Sequence, residues 1–361
     1  MNQITQDYPS EYPYAREWCG NSIDIKQYVT LKENWDKSKE LINSIRKCLN
    51  NAEIHPVVKT VAAAGSLGRM EASQDVSDAD LIIVLSDNTE LDSPEAENAY
   101  NSVWKALESL TTLTIRRPKD TGVFADPTNQ KQLLGDVGKA DESMKVFGKR
   151  LLLLLETQPV YGDESYAKLL NVIVDRYADK YVQREPQKEW TFLLNDLIRY
   201  FRAICVNYQW DFDNEAGKWP LRNVKLRHSR IVMYSGLLML LGEASKERRN
   251  KVDWLKERLK MTPLERLEWV YEQNKDWNFH RIAEPYNVFL YQISIPQVRT
   301  KLNVDPAYDN REDEDSYKKR YDIPEFSALK ANSNGLIAEL WRFLLARRGS
   351  WTEEFFEYLI F

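Results

Sequence analysis

The sequence predicts an α/β half followed by an all-helical half, and three observations carry that fold class. Two short, largely apolar runs, 57–64 and 81–85, are rich in β-branched or small residues and flank a Gly-Ser turn, the pattern of buried strands. From about Asp141 onward, apolar residues recur at helical spacing almost without interruption. The length of 361 residues suits two domains at roughly 100–200 residues each.

Taken in order, residues 1–30 are rich in Tyr, Pro and polar residues and read as a loosely ordered N-terminal arm. Residues 31–51 form a helix, because Leu31, Trp35, Leu41, Ile42, Ile45 and Leu49 fall on one face. The strand 57–64 runs into Gly65-Ser66-Leu67-Gly68, and a second strand opens with Asp78-Ala79-Asp80. Pro94 to Leu110 fits a helix, and 113–117 and 122–125 read as two further short strands. Pro159, Gly162 and Pro186 punctuate the helical half and put a domain boundary near 157–165. The first domain is thus 31–160 and the helical domain 161–361. Within the latter, 189–210 is strongly amphipathic, 305–322 is a highly charged solvated connector, and 336–345 and 353–360 return to helix.

Composition narrows the chemistry. Lys and Arg total 50 against 55 Asp and Glu, a net charge of −5, which argues against coating nucleic acid by bulk electrostatics. There are three Cys and three His with no CxxC spacing, so a zinc site or disulfide scaffold is not expected. Carboxylates and basic side chains are left to do any catalysis. The N-terminus lacks the pattern of a signal peptide. The runs Leu151–Leu155 and Ile231–Leu241 fall short of the roughly 20 apolar residues that span a bilayer. A cytoplasmic location without membrane contact is the expectation.

The stretch 62–85, AAAGSLGRMEASQDVSDADLIIVL, carries most of the functional signal. Gly65 and Gly68 lack a Cβ and would let the backbone approach a triphosphate. Ser66 offers a hydroxyl to a phosphate oxygen, and a helix starting at the turn would aim its N–H groups at the same anion. Asp78 and Asp80, two apart on a strand, would share a face. Two carboxylates side by side suit a hard cation such as Mg²⁺ bound together with substrate phosphates.

Gly65-Ser66, a spacer of eleven residues and Asp78-Ala79-Asp80 before an apolar strand resemble the signature of nucleotidyltransferases of the DNA polymerase β superfamily. The closer likeness is to their protein-modifying branch, the uridylyltransferase of nitrogen signalling and its relatives. It is carried by Gly65-Ser66-Leu67-Gly68-Arg69-Met70-Glu71 and Ser77-Asp78-Ala79-Asp80-Leu81. The strong motif covers about 20 residues, with weaker likeness to about residue 230. The resemblance implies a nucleotidyltransferase domain with a small mixed sheet flanked by helices. It implies Mg²⁺, or Mn²⁺, held by Asp78, Asp80 and a third carboxylate. Asp126 is the choice for that third acid, at the end of the 122–125 strand, with Asp120, Asp141 and Glu142 as competitors. The family's paired glycines in the later Lys…Gly-Gly-Leu-Arg-Asp segment are missing here, although Lys218, Leu221 and Arg222 echo it.

Cations beyond the metal are needed to hold a triphosphate. Arg69 lies beside the turn. Arg199 shares a helix face with Asn195 and Arg202. Five cations fall within residues 218–230, where Arg222, Lys225 and Ser229 share a face that an anion would relieve of like-charge repulsion. Arg222 and Lys225 are therefore nucleotide-contact candidates. His228 reads as structural, and Arg150 as a weaker cleft candidate. The expected activity is transfer of a nucleoside monophosphate from ATP or UTP to a hydroxyl, the resemblance favouring one on a protein, with release of pyrophosphate. Synthesis of a nucleotide signal, modification of tRNA or a small molecule, and a non-catalytic nucleotide-sensing module remain open alternatives.

Overall fold

A computed structural model describes residues 9–73, 79–110, 117–118, 122–139, 141–178, 190–214, 218–246, 250–303 and 322–360. Helix α1 (Val29–Asn51) buries Leu31, Trp35, Leu41, Ile42, Ile45 and Leu49, the stripe that the spacing predicts. Strand β1 (Val58–Ala63) leads through a four-residue helical turn, α2 (Gly65–Gly68), toward β2 (Leu81–Leu85), whose five residues are all buried. Helix α3 (Pro94–Leu107) starts at Ser93, whose hydroxyl accepts the Ala96 N–H, with Pro94 in the first helical position. Strand β3 (Thr128–Asn129), α4 (Gln130–Gly135), α5 (Met144–Leu155), β4 (Gln158–Tyr161) and α6 (Asp163–Ala178) complete this half.

The sheet order is β3-β2-β1-β4. Strand β1 is antiparallel to both neighbours, pairing Ala63 with Leu81 on one side and with Gln158 on the other. β3 is parallel to β2, with Val84 opposite Thr128. The sheet is thus mixed and small, as expected, and helices cover it.

Three expectations need correction. Residues 122–125 form turns, with Gly122 at φ 108°, and the strand comes later, after Pro127. The chain beyond Asp141 is not wholly helical, because β4 lies inside the expected domain junction. Helix α6 then packs on β1, so the sheet and its helices continue to residue 178. The arm is not loose over its described part. Arg16 Nη1 and Nη2 reach Glu265 at 2.6 and 3.0 Å, and the Ser22 and Ile23 N–H groups donate to Glu268 at 2.8 and 2.9 Å. Buried carboxylates on a helix surface need donors, and the arm supplies them. The expected strand at 113–117 and connector at 305–322 fall largely outside the described residues.

The helical half contains α7 (Thr191–Asn214), α8 (Trp219–Lys225), α9 (Ile231–Ser245), α10 (Lys251–Arg258), α11 (Pro263–Gln273), α12 (His280–Ser294), α13 (Pro296–Leu302), α14 (Pro324–Ala346) and α15 (Glu353–Ile360). A π-helical turn, Leu226–Arg230, joins α8 to α9 without leaving right-handed helical backbone. Such turns shift the register of one helix face and recur at functional sites. α9 is buried along most of its length. Arg266 of α11 donates to the Leu154 and Leu155 carbonyls at 2.9 and 3.0 Å, capping the C-terminus of α5 with a cation. Both long apolar runs are buried helix, in α5 and α9. Among the described residues no helix is long and apolar enough to cross a membrane.

Candidate functional site

The site begins where β1 ends. The Ala64 N–H donates to the Asp80 carbonyl at 2.8 Å, tying the turn to the approach of β2. Gly65 sits at φ 67°, and a Cβ there would come within 2.6 Å of Asp80 Oδ2. Left-handed backbone and close approach both demand glycine. Gly68 is required for another reason than expected. Its missing Cβ would lie 1.9 Å from the Glu156 carbonyl oxygen, so this glycine packs α2 against the chain entering β4.

Beneath the turn lies a buried charge network centred on Glu156. Its carboxylate accepts the Gly65 N–H at 3.0 Å, Arg69 Nη1, and Arg230 Nη1 at 3.1 Å. Burial alone would raise the Glu156 pKa, but Arg69, Arg230 and the Gly65 N–H together hold it below the usual carboxylate value. Arg69 Nε also reaches Glu71 at 2.9 Å, and Glu71 accepts from Ser229 at 3.1 Å and from the Tyr286 hydroxyl. Burial and the Glu71 charge push the Tyr286 phenol well up. The Arg69 and Glu71 of the sequence motif thus lock the turn to the helical half.

Above this network opens a cavity of about 240 Å³. Gly65, Ser66 and Asp80 contribute from the sheet half. Lys225, Ser229 and Arg230 come from α8 and the π turn, and Arg299 from α13. Asn34 of α1, Leu290 and Ile293 of α12, and Arg69, Glu71 and Ser73 after the turn complete the wall. Burial, then the charges of Arg299, Arg230 and Arg69, push the Lys225 ammonium down to about 8, against an opposing pull from Asp80. Arg69 and Arg230 have carboxylate partners, whereas no described residue forms a hydrogen bond or ion pair with the Lys225 ammonium or the Arg299 guanidinium. Lys225 and Arg299, cations without a direct carboxylate contact, favour an anion in the cavity.

Of the residues singled out from sequence, Gly65, Ser66, Arg69, Asp80 and Lys225 are brought to this one cavity. Asp78 lies outside the described residues, as does Asp120. Asp126 is not on the cavity wall. It is exposed, its carboxylate pairs with Lys145 at 2.5 Å, and its backbone oxygen accepts from Lys149 at 2.7 Å. Asp141 pairs with Lys139 at 3.4 Å, and Glu142 with buried Arg150, so neither competitor reaches the cavity. Arg199 is also elsewhere. It donates to the Lys139 carbonyl at 2.9 Å, sits 3.5 Å from Glu142 and lies over the Phe147 ring. Arg222 is half-buried on α8 but does not line the cavity. Arg150 is fully buried among Glu142, Asp196 and Tyr177. His228 is structural: its ring stacks on Phe289 at 4.3 Å, and Nδ1 meets the Val224 carbonyl at 2.8 Å.

Sequence reasoning misses Asn34, Glu156, Arg230 and Arg299. Arg230 falls in the basic segment. The others reach the site through tertiary packing, and nothing in their local sequence marks them.

Among the described residues no group of three or more His, Cys, Asp or Glu is arranged to hold a metal. Asp80 nevertheless presents a hard oxygen ligand on the cavity wall, packed against Gly65, whose missing Cβ lets the carboxylate come close. This suits Mg²⁺, which takes one or two carboxylates and completes its shell with phosphate oxygens and water. Comparison with protein-family models, with curated proteins and with solved structures finds no match.

Proposed function

We propose that the chain is a Mg²⁺-dependent nucleotidyltransferase of the polymerase β type. It would move a nucleoside monophosphate from a nucleoside triphosphate to a hydroxyl, with a protein hydroxyl as the leading acceptor. One observation carries this reading. The Gly65-Ser66 turn and Asp80, read from sequence as a phosphate and metal site, share a cavity with Lys225, Arg230 and Arg299 from the other half of the chain. A phosphate turn without cations opposite it would not hold a triphosphate, and here the cations are in place.

In this scheme Ser66, Lys225 and Arg299 bind phosphate oxygens, while Arg69 and Arg230 hold the turn in shape through Glu156. Asp80, with Asp78 two residues earlier in the chain, would hold the metal, which when bound neutralises phosphate charge and polarises the reacting oxygens. The acceptor oxygen forms a bond to the α-phosphorus. The bond from that phosphorus to the bridging oxygen breaks, pyrophosphate leaves with the electron pair, and the acceptor proton passes to water. Lys225 and Arg299 stabilise the charge that collects on the departing pyrophosphate.

The test is incubation with α-labelled ATP, UTP, CTP and GTP and Mg²⁺, followed by mass spectrometry. A nucleotide-sized mass added to a protein supports the reading. Label found in a free nucleotide product or in tRNA moves the acceptor to the alternative class, and absence of any transfer refutes the reading.

A further inference from the structure

We infer that Asn34 reads the nucleobase of the bound triphosphate, an inference that rests on the nucleotide-transfer reading above. Asn34 lies in the interior of α1, a position for which asparagine has poor intrinsic preference. It is 6% exposed and lines the same cavity as the phosphate turn. Its backbone carbonyl is used by the Ser38 hydroxyl at 2.7 Å, but no described residue forms a hydrogen bond with either end of its carboxamide. The carboxamide keeps contact with the cavity solvent, so both its donor and its acceptor end are open to a ligand bound there.

The surroundings indicate which part of a nucleotide that partner is. Phosphate oxygens only accept, so a phosphate would leave the Asn34 carbonyl unpaired. A nucleobase edge places a donor beside an acceptor and can satisfy both ends of a carboxamide. Bases also have apolar faces, and Leu290 and Ile293 of α12 supply apolar wall in this cavity. α1 and α12 pack together, and the Asn287 side chain accepts the Leu31 N–H at 3.0 Å, which fixes the start of α1 against α12. The cations that suit phosphate come from other elements, α8, the π turn and α13. The base subsite is therefore built by α1 and α12, and the phosphate subsite by the Gly65 turn and the basic helices.

The experiment measures the Mg²⁺-dependent affinities of ATP, UTP, CTP, GTP and inorganic tripolyphosphate for the wild-type chain and for Asn34→Ala. Wild type is expected to prefer one base. The variant should lose about tenfold or more for that nucleotide, the worth of a pair of hydrogen bonds, and keep its affinity for tripolyphosphate. Asn34→Leu, close in size and a better helix former, gives the same readout should the alanine variant fold poorly. An unchanged ratio among the four nucleotides, or an equal loss for all of them and for tripolyphosphate, overturns the inference and leaves the nucleotide-transfer reading standing. Four equal wild-type affinities do the same. If wild type binds neither nucleotides nor tripolyphosphate, the underlying reading falls as well.

Discussion

Replacing Glu156 by Gln keeps the shape of the side chain and one acceptor oxygen while removing its charge. The Glu156 side chain is 1% exposed, that of Arg69 7% and that of Arg230 25%. Removing one partner of a buried ion pair costs about 3–5 kcal/mol, because the remaining charge is left uncompensated. Arg69 keeps Glu71 at 2.9 Å, Arg230 is partly hydrated, and Gln still accepts one hydrogen bond, so the loss should lie near the low end, about 3 kcal/mol. Urea unfolding followed by tryptophan fluorescence, with the slope held common, reads this directly. The pH dependence supplies a second check. The folded-state pKa of Glu156 lies below its ordinary value of 4.5, so its contribution is present above 4.5 and is lost as pH falls further. That acid-induced loss should be smaller in Glu156→Gln. A stability change under about 1 kcal/mol, with an unaltered acid limb, would refute the claim that Glu156 holds the turn and both arginines in place.

Other consequences can be measured alongside. Lys225→Ala should weaken Mg²⁺-dependent triphosphate binding roughly 10–100-fold, the worth of a hydrogen bond to a charged group. Because the Lys225 pKa is about 8 in the free protein, wild-type affinity should fall as pH rises through 8, and calorimetry from pH 6.5 to 9 should show this trend vanish in the variant. His228 is pushed down to about 4 by burial, so an NMR titration should find it neutral above pH 5. The unfolded chain takes up that proton first. The contribution is therefore full above 6.5 and lost as pH falls toward 4, on the order of 3 kcal/mol, which His228→Phe should abolish in acid unfolding curves. Arg199→Ala should leave triphosphate affinity unchanged, since its guanidinium is engaged by Lys139 and Glu142 away from the cavity; a tenfold loss would place it in the site after all.

Much of the fold is legible in the sequence because its signals are local. α1 shows helical periodicity, α3 opens at a proline, and β1, the Gly65 turn and β2 read directly from apolar runs broken by glycine. β3 is not legible: two residues after a proline carry no pattern, and the apolar run before it, 122–125, forms turns instead. β4 escapes notice because four residues containing Pro159 read as a break between helices, whereas they form an edge strand beside β1.

The site divides along the same line. Gly65, Ser66 and Asp80 sit within one short stretch whose chemistry is visible in order. Glu156 ends a run of five leucines and looks like a helix terminus, yet it accepts the N–H of a residue 91 positions earlier. Arg199 and Lys225 both lie on helix faces with neighbouring cations, and spacing cannot distinguish the one that pairs internally from the one that faces the cavity. Position near a strand end points to Asp126 as the third carboxylate, but Lys145 draws its side chain into an exposed pair. Asn34 looks like an ordinary polar position on an amphipathic helix until its place on the cavity wall is seen.

The reaction itself is tested most directly by pyrophosphate release from nucleoside triphosphates, comparing wild type with Asp80→Asn in the presence and absence of Mg²⁺. Release by wild type that requires Mg²⁺, and that falls by several orders of magnitude in the variant while the fold is retained, is the predicted result. Equal release by the two proteins, or none from wild type with any acceptor supplied by a cell extract, would contradict it.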